Sequence, residues 1–161
     1  MLGNRIIKTI WTALALIRRD KSLQIFTDGS FKGRWGTWAF VILQDDIVIH
    51  EISGRESKTC SNRMEYQAAI EALKILPRGS KANIYSDSRI VVDNITLHAP
   101  FWKDNRWLKK NGRPIPNVDQ IKILYRLCAR HSVKWKWIKA HSGIQYNERC
   151  DRLCIKARGS K

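Results

Sequence analysis

Four acidic residues of this chain, Asp28, Glu65, Asp87 and Asp151, sit where strands end or where helices turn an apolar face inward. Asp28 follows the apolar run Leu23-Gln-Ile-Phe-Thr27, and Asp87 follows Ala82-Asn-Ile-Tyr-Ser86. Glu65 heads a stripe continued by Ala69, Ala72, Leu73 and Leu76, and Asp151 precedes Cys154 and Ile155 by three and four residues. A carboxylate aimed at a core costs several kcal/mol unless a positive partner compensates it. Converging carboxylates call for divalent metal, and a pair of metal ions held by carboxylates is equipment for phosphoryl transfer.

The elements that must position these acids alternate between strand and helix. Strands are expected at Leu23–Thr27, Trp35–Gln44, Ile47–Gly54, Ala82–Ser86 and Val133–Ile138. An Asp45-Asp46 turn joins the second to the third, which makes the first three an antiparallel meander. Helices are expected at Asn62–Leu76 (stopped by Pro77 and Gly79), Ser88–Leu97, Val118–Arg130 and Asn147–Ala157. The long helix after the third strand must cross the sheet, so the fourth strand pairs parallel to the first. Asp28 and Asp87 then emerge side by side at the carboxyl edge, where open α/β sheets bind ligands, and Glu65 overhangs that edge. This argument does not reach Asp151. Each acid also has a local explanation: a turn at Asp28-Gly29, a capping box at Asn62 and Glu65, an N-cap at Asp87-Ser88, an arginine partner for Asp151.

Thirty Lys and Arg stand against fourteen Asp and Glu, a net charge of +16. That excess predicts salt-sensitive attraction to a polyanion, with an anionic membrane surface as the rival. Seven tryptophans among the cations favour nucleic acid, because indole faces stack on bases or sugars. Cys60, Cys128, Cys150 and Cys154 lack zinc spacing and read as packing thiols in a reducing compartment. Residues 1–20 form a separate segment. Ile6, Ile10, Trp11, Leu14 and Ile17 predict an amphipathic helix over Arg5–Arg19, too short to span a bilayer. It reads as a packing or partner-binding helix, an organellar targeting segment, or a boundary sequence. The remainder, 21–161, reads as one domain with a basic stretch at about 99–116.

Phe26-Thr-Asp-Gly-Ser30, Asn62-Arg-Met-Glu65, Tyr85-Ser-Asp-Ser88, Ala140-His-Ser-Gly143 and Asn147-Glu-Arg-Cys-Asp151 resemble, in order and spacing, the successive motifs of type 1 ribonuclease H. The resemblance covers roughly residues 22–158. It implies an α/β RNase H-like fold, a five-stranded mixed sheet of three antiparallel then two parallel strands flanked by helices. It also implies cleavage of the RNA strand of RNA–DNA hybrids, leaving 5′-phosphate and 3′-hydroxyl ends. Asp28, Glu65, Asp87 and Asp151 would ligate two Mg²⁺ ions, with Mn²⁺ as a substitute. One ion would activate water and the other stabilise the departing oxygen. His141 would assist proton transfer or product departure. Trp102, Lys103, Arg106, Trp107, Lys109, Lys110 and Arg113 resemble the basic protrusion of free-standing members and would grip the DNA strand.

By the same resemblance Gly29, Ser30, Ser61 and Asn62 read 2′-hydroxyls, and Thr59 and Cys60 lie near a phosphate pocket. Ser61 stands where Asn is frequent and Arg89 where Gln is frequent, which bears on selectivity; Arg89 would add a phosphate contact. A monomer that binds hybrid and acts in the cytoplasm is expected, or in an organelle if residues 1–20 are a targeting peptide. The alternatives are a catalytically silent binding module of the same fold, a DNA-directed nuclease of that fold, and the nuclease portion of a retroelement polyprotein.

Overall fold

A computed structural model describes residues 17, 18 and 20–159. Five strands, β1 (Ser22–Lys32), β2 (Trp35–Gln44), β3 (Ile47–Ser57), β4 (Lys81–Ser86) and β5 (Ser132–Trp137), form one sheet in the order β3-β2-β1-β4-β5. The pairs β1–β2 and β2–β3 are antiparallel, and β1–β4 and β4–β5 are parallel. Helix α1 (Ser61–Lys74) carries the crossover between β3 and β4. Then come α2 (Arg89–Asp93), a π-helical turn (Asn94–His98), α3 (Ala99–Asp104), α4 (Val118–Cys128) and α5 (Gln145–Gly159).

Strand periodicity divides the core into two layers. Leu23, Ile25, Phe40 and Ile42 face Tyr66, Ile70 and Leu73 of α1 and Ile121 and Leu124 of α4. Phe26, Ala39, Val41 and Leu43 face Cys150 and Cys154 of α5. Each fully buried Leu, Ile or Phe contributes about 2 kcal/mol through area removed from water, so both helical layers are clamped to the sheet. The β2–β3 hairpin turns on Asp45 (φ 52°) and Asp46 (φ 62°), the left-handed pair a tight two-residue turn requires.

The first strand does not end at Thr27, as the sequence suggested. Its parallel ladder with β4 stops at Thr27↔Ser86, but its antiparallel ladder with β2 runs on through Asp28↔Ala39 to Lys32↔Trp35. Gly29 read as a turn is a strand residue. The helix expected at Ser88–Leu97 begins after Ser88, whose hydroxyl caps Val91 N–H at 3.4 Å. It continues to Asp104, because the π-helical turn resets the ladder and places Pro100 in the first turn of α3, where its missing N–H costs nothing.

The helix expected over Arg5–Arg19 lies outside the described residues except at its end. There Ile17 packs on the core, and Gln44 brackets Arg18 with bonds of 2.9 and 3.0 Å to its amide and carbonyl. Among the described residues no helix is long and apolar enough to cross a membrane.

Candidate active site

Register alone brings the first two acids together. Asp28 and Asp87 each follow directly on Thr27↔Ser86, the last parallel pair, so both project beyond the point where the two strands part. Gly29 then admits the third. A Cβ there would run into the backbone of Met64 and Glu65, so only glycine lets the start of α1 lie against β1 at this level. The N-cap of α1 is Cys60 with no side-chain cap bond, and Glu65 therefore serves no capping box. Asp28, Glu65 and Asp87 each offer a carboxylate oxygen within 4.8 Å of the others.

Among the described residues no ion pair compensates this cluster. Burial, then the charges of Asp87 and Asp151, push the Asp28 carboxyl up to about 6. Burial, then Asp28 and Asp87, hold Glu65 well above the usual carboxylate range; the Gly29 N–H opposes both shifts without cancelling either. Glu65 Oε2 is buried with no hydrogen-bond partner. An orphaned carboxylate oxygen facing two further carboxylates is a set of hard oxygen donors lacking its positive partner, which fits a divalent cation.

Asp151 stands outside the group of three, although its charge reaches Asp28. It forms no ion pair among the described residues, so the arginine partner considered for it is absent there. Its helix is anchored by three successive turns. Cys150 Sγ donates to Phe26 O at 3.3 Å, Cys154 Sγ to Asp28 O at 3.7 Å, and Arg158 Nη2 to Ser30 Oγ at 2.7 Å. Four helical residues rise about 6 Å and two strand residues about 6.6 Å, so the helix steps along β1 nearly in register. Asp151 is thereby held beside Asp28.

Two groups that the sequence did not assign a role hold Asp87. Buried Asn147 donates through Nδ2 to Asp87 Oδ2 at 3.1 Å, and Trp137 Nε1 donates to the Asp87 carbonyl at 3.0 Å. Arg89 lies over the Trp137 ring at 4.3 Å. Asn147 stands inside a motif already singled out, and its helical spacing with Cys150, Asp151 and Cys154 places it on their face, though nothing in that spacing names Asp87 as its partner. His141 is exposed, at φ 49°, on the loop between β5 and α5; among the described residues it bonds none of the carboxylates.

Of the expected nucleic-acid contacts, Ser61 and Asn62 are exposed at the start of α1, Thr59 Oγ1 is buried without a partner, and Ser30 is taken up by Arg158. In the basic stretch Trp102 stacks on His98 at 5.3 Å, and Trp107 meets Tyr125 edge-on at 5.8 Å. Both tryptophans are half-buried anchors. Lys103, Arg106, Lys109, Lys110 and Arg113 are exposed and form no ion pair among the described residues. A cavity of about 370 Å³ joins this stretch to α1, lined by Asn62, Tyr66, Asn94, His98, Trp102 and Lys109 among others.

The sequence profile of RNase H matches residues 20–158. The chain belongs to the RNase H family. Among its relatives, the ribonuclease H of Wolbachia sp. subsp. Drosophila simulans (strain wRi) is 40% identical over 139 residues, covering 85% of this chain and 95% of that protein. The ribonuclease H of Erythrobacter litoralis is 41% identical over 138 residues, covering 85% and 96%. In three dimensions the RNase H fold of LC9-RNase H1, described as a type 1 RNase H with the type 2 active-site motif, matches with a TM-score of 0.76 at 23% identity, over 86% of this chain and 72% of that one. LC11-RNase H1, solved in complex with RNA/DNA hybrid, matches with a TM-score of 0.61 at 18% identity, over 84% and 99%. At these identities the likeness to both structures is one of fold.

Proposed function

We propose that this RNase H hydrolyses the RNA strand of RNA–DNA hybrids, with Asp28, Glu65, Asp87 and Asp151 as ligands for two Mg²⁺ ions. The observation that carries this reading is the cluster itself: three carboxylates within 4.8 Å, one with a buried and unpartnered oxygen, on a chain of net charge +16. Bound divalent ions would supply Lewis acidity for activating water and neutralising a departing oxygen, giving 5′-phosphate and 3′-hydroxyl ends. The protein's own part is positioning. Asn147 and Trp137 fix Asp87, Gly29 admits Glu65, and the Cys150–Cys154–Arg158 series holds Asp151 beside Asp28.

His141, exposed on its loop, takes or gives a proton at the rim of the site. Ser61 and Asn62 at the start of α1, with the Gly29–Ser30 backbone, contact 2′-hydroxyls and the minor groove. Arg89, spread on Trp137, and the cations of the Trp102–Arg113 stretch contact phosphates, and the protein works as a monomer. The test is strand-specific cleavage. End-labelled hybrid, duplex DNA and duplex RNA are incubated with the full chain, with and without EDTA. Scission of the RNA strand of the hybrid alone, abolished by EDTA, is expected; cleavage of duplex DNA, or metal-independent cleavage, would reject the proposal.

A further inference from the structure

Trp35, at the far tip of the β1–β2 hairpin, carries two guanidinium groups. Arg34 Cζ lies 5.3 Å from its ring centre and Arg55 Cζ 4.6 Å. Lys32 pairs with Trp35 across the hairpin, and Lys58 follows β3 in the left-handed region at φ 53°. All four cations are exposed, and none forms an ion pair among the described residues. Register fixes the face of Lys32, Trp35 and Arg55. Asp28↔Ala39, Ser30↔Thr37 and Lys32↔Trp35 alternate along one sheet face, and Thr37↔Arg55 adds Arg55 to the same face. The tip therefore shares the face of Asp28, four residues further along β1, roughly 13 Å away at strand rise. The Trp102–Arg113 stretch anchors on the core layer of the opposite face. The carboxylates thus lie between two separate basic surfaces.

Cations at a sheet end discourage edge-to-edge pairing, and cations near the C-terminus of α5 suit its dipole. Either reason would be met by scattered lysines. Neither explains two guanidinium groups spread on one indole, an arrangement that fixes planar donors before a ligand arrives.

We propose that the Arg34–Trp35–Arg55 tip is a second phosphate-contacting surface for the hybrid, engaging its backbone on the side of the cleavage site away from the Trp102–Arg113 stretch. This rests on the hybrid being the substrate. Fixed guanidinium forks favour bidentate contact with phosphate oxygens, and the indole edge offers a surface for sugar or base.

The test is equilibrium binding in the uncleaving Asp28→Asn background, with one hybrid long enough to span both basic surfaces and one too short to reach the tip. Arg34→Gln/Arg55→Gln should weaken binding of the long hybrid several-fold and reduce the slope of log affinity against log salt by about 1 to 2. The short hybrid should bind as before. Arg34→Lys/Arg55→Lys should keep the slope but recover only part of the affinity. If the double glutamine variant fails to fold, judged by its melting transition, Arg34→Gln at the turn is read the same way. An unchanged affinity and slope on the long hybrid would overturn the proposal. So would an equal loss on both hybrids, or a loss confined to binding of anionic phospholipid vesicles. Metal-dependent cleavage by the parent protein checks the underlying function separately.

Discussion

Cys154 Sγ donates to the carbonyl oxygen of Asp28 at 3.7 Å, one turn beyond Cys150, whose thiol does the same to Phe26. A small side chain at each point lets α5 lie close enough to β1 for Asp151 to act on Asp28. Cys154→Leu overpacks this contact, at about 1 to 3 kcal/mol, and pushes the helix outward. Cleavage at limiting Mg²⁺ should fall at least several-fold and recover in part at high Mg²⁺, whereas Cys154→Ser should stay near the parent. A Mg²⁺ titration of initial rates checks this.

Trp137→Phe removes the N–H that holds the Asp87 carbonyl but leaves an aromatic face for Arg89. The lost bond is worth about 1 kcal/mol, so kcat should drop about fivefold with KM unchanged. Arg89→Ala should do the reverse, raising KM and flattening the salt dependence. Steady-state kinetics on a single hybrid separates the two.

The free protein carries a built-in instability. Asp28, moved from 3.8 to about 6, binds its proton more tightly when folded than when unfolded. That stabilisation is fully present below 3.8 and is lost as pH rises through about 6, a loss of about 3 kcal/mol at full ionisation. Asp28→Asn should therefore melt higher than the parent near pH 8 without metal, while losing cleavage. Urea unfolding in EDTA at pH 5 and pH 8 measures it: the gap between variant and parent should open as pH rises.

Neutralising Lys103, Lys109 and Lys110 together should weaken hybrid binding without moving the cleavage position, since these exposed cations form no ion pair among the described residues. The salt slope should shrink by about 0.9 for each phosphate contact removed. Binding at several salt concentrations gives that number.

Strand order and direction were legible because the crossover rule leaves one placement for Ala82–Ser86 once three strands form a meander, and that placement brings Asp28 beside Asp87. The continuation of β1 through Gly29 was not legible. Asp-Gly-Ser carries the composition of a turn, and only the approach of Met64–Glu65 explains the glycine. The helix running through Pro100 escaped because its π-helical turn depends on tertiary contact, with Asn94 bonded to Tyr66 at 2.6 Å. The step match of α5 to β1 is written in the spacing Cys150, Cys154, Arg158, but it acquires meaning only once the helix is known to lie along that strand. Asn147 shows the same limit: its neighbour Asp87 is sixty residues away in sequence.

The carboxylate cluster as a metal site is tested most directly by counting protons released when Mg²⁺ is added. Titration calorimetry in buffers of differing ionisation heat gives that count at pH 6 and pH 8. With Asp28 near its midpoint at about 6 and Glu65 held by burial well above the usual carboxylate range, binding at pH 6 should expel protons, fewer should leave at pH 8, and Glu65→Gln should reduce the count. Mg²⁺ binding with no proton release at either pH, or the same release in Glu65→Gln, would place the metal elsewhere and contradict the account.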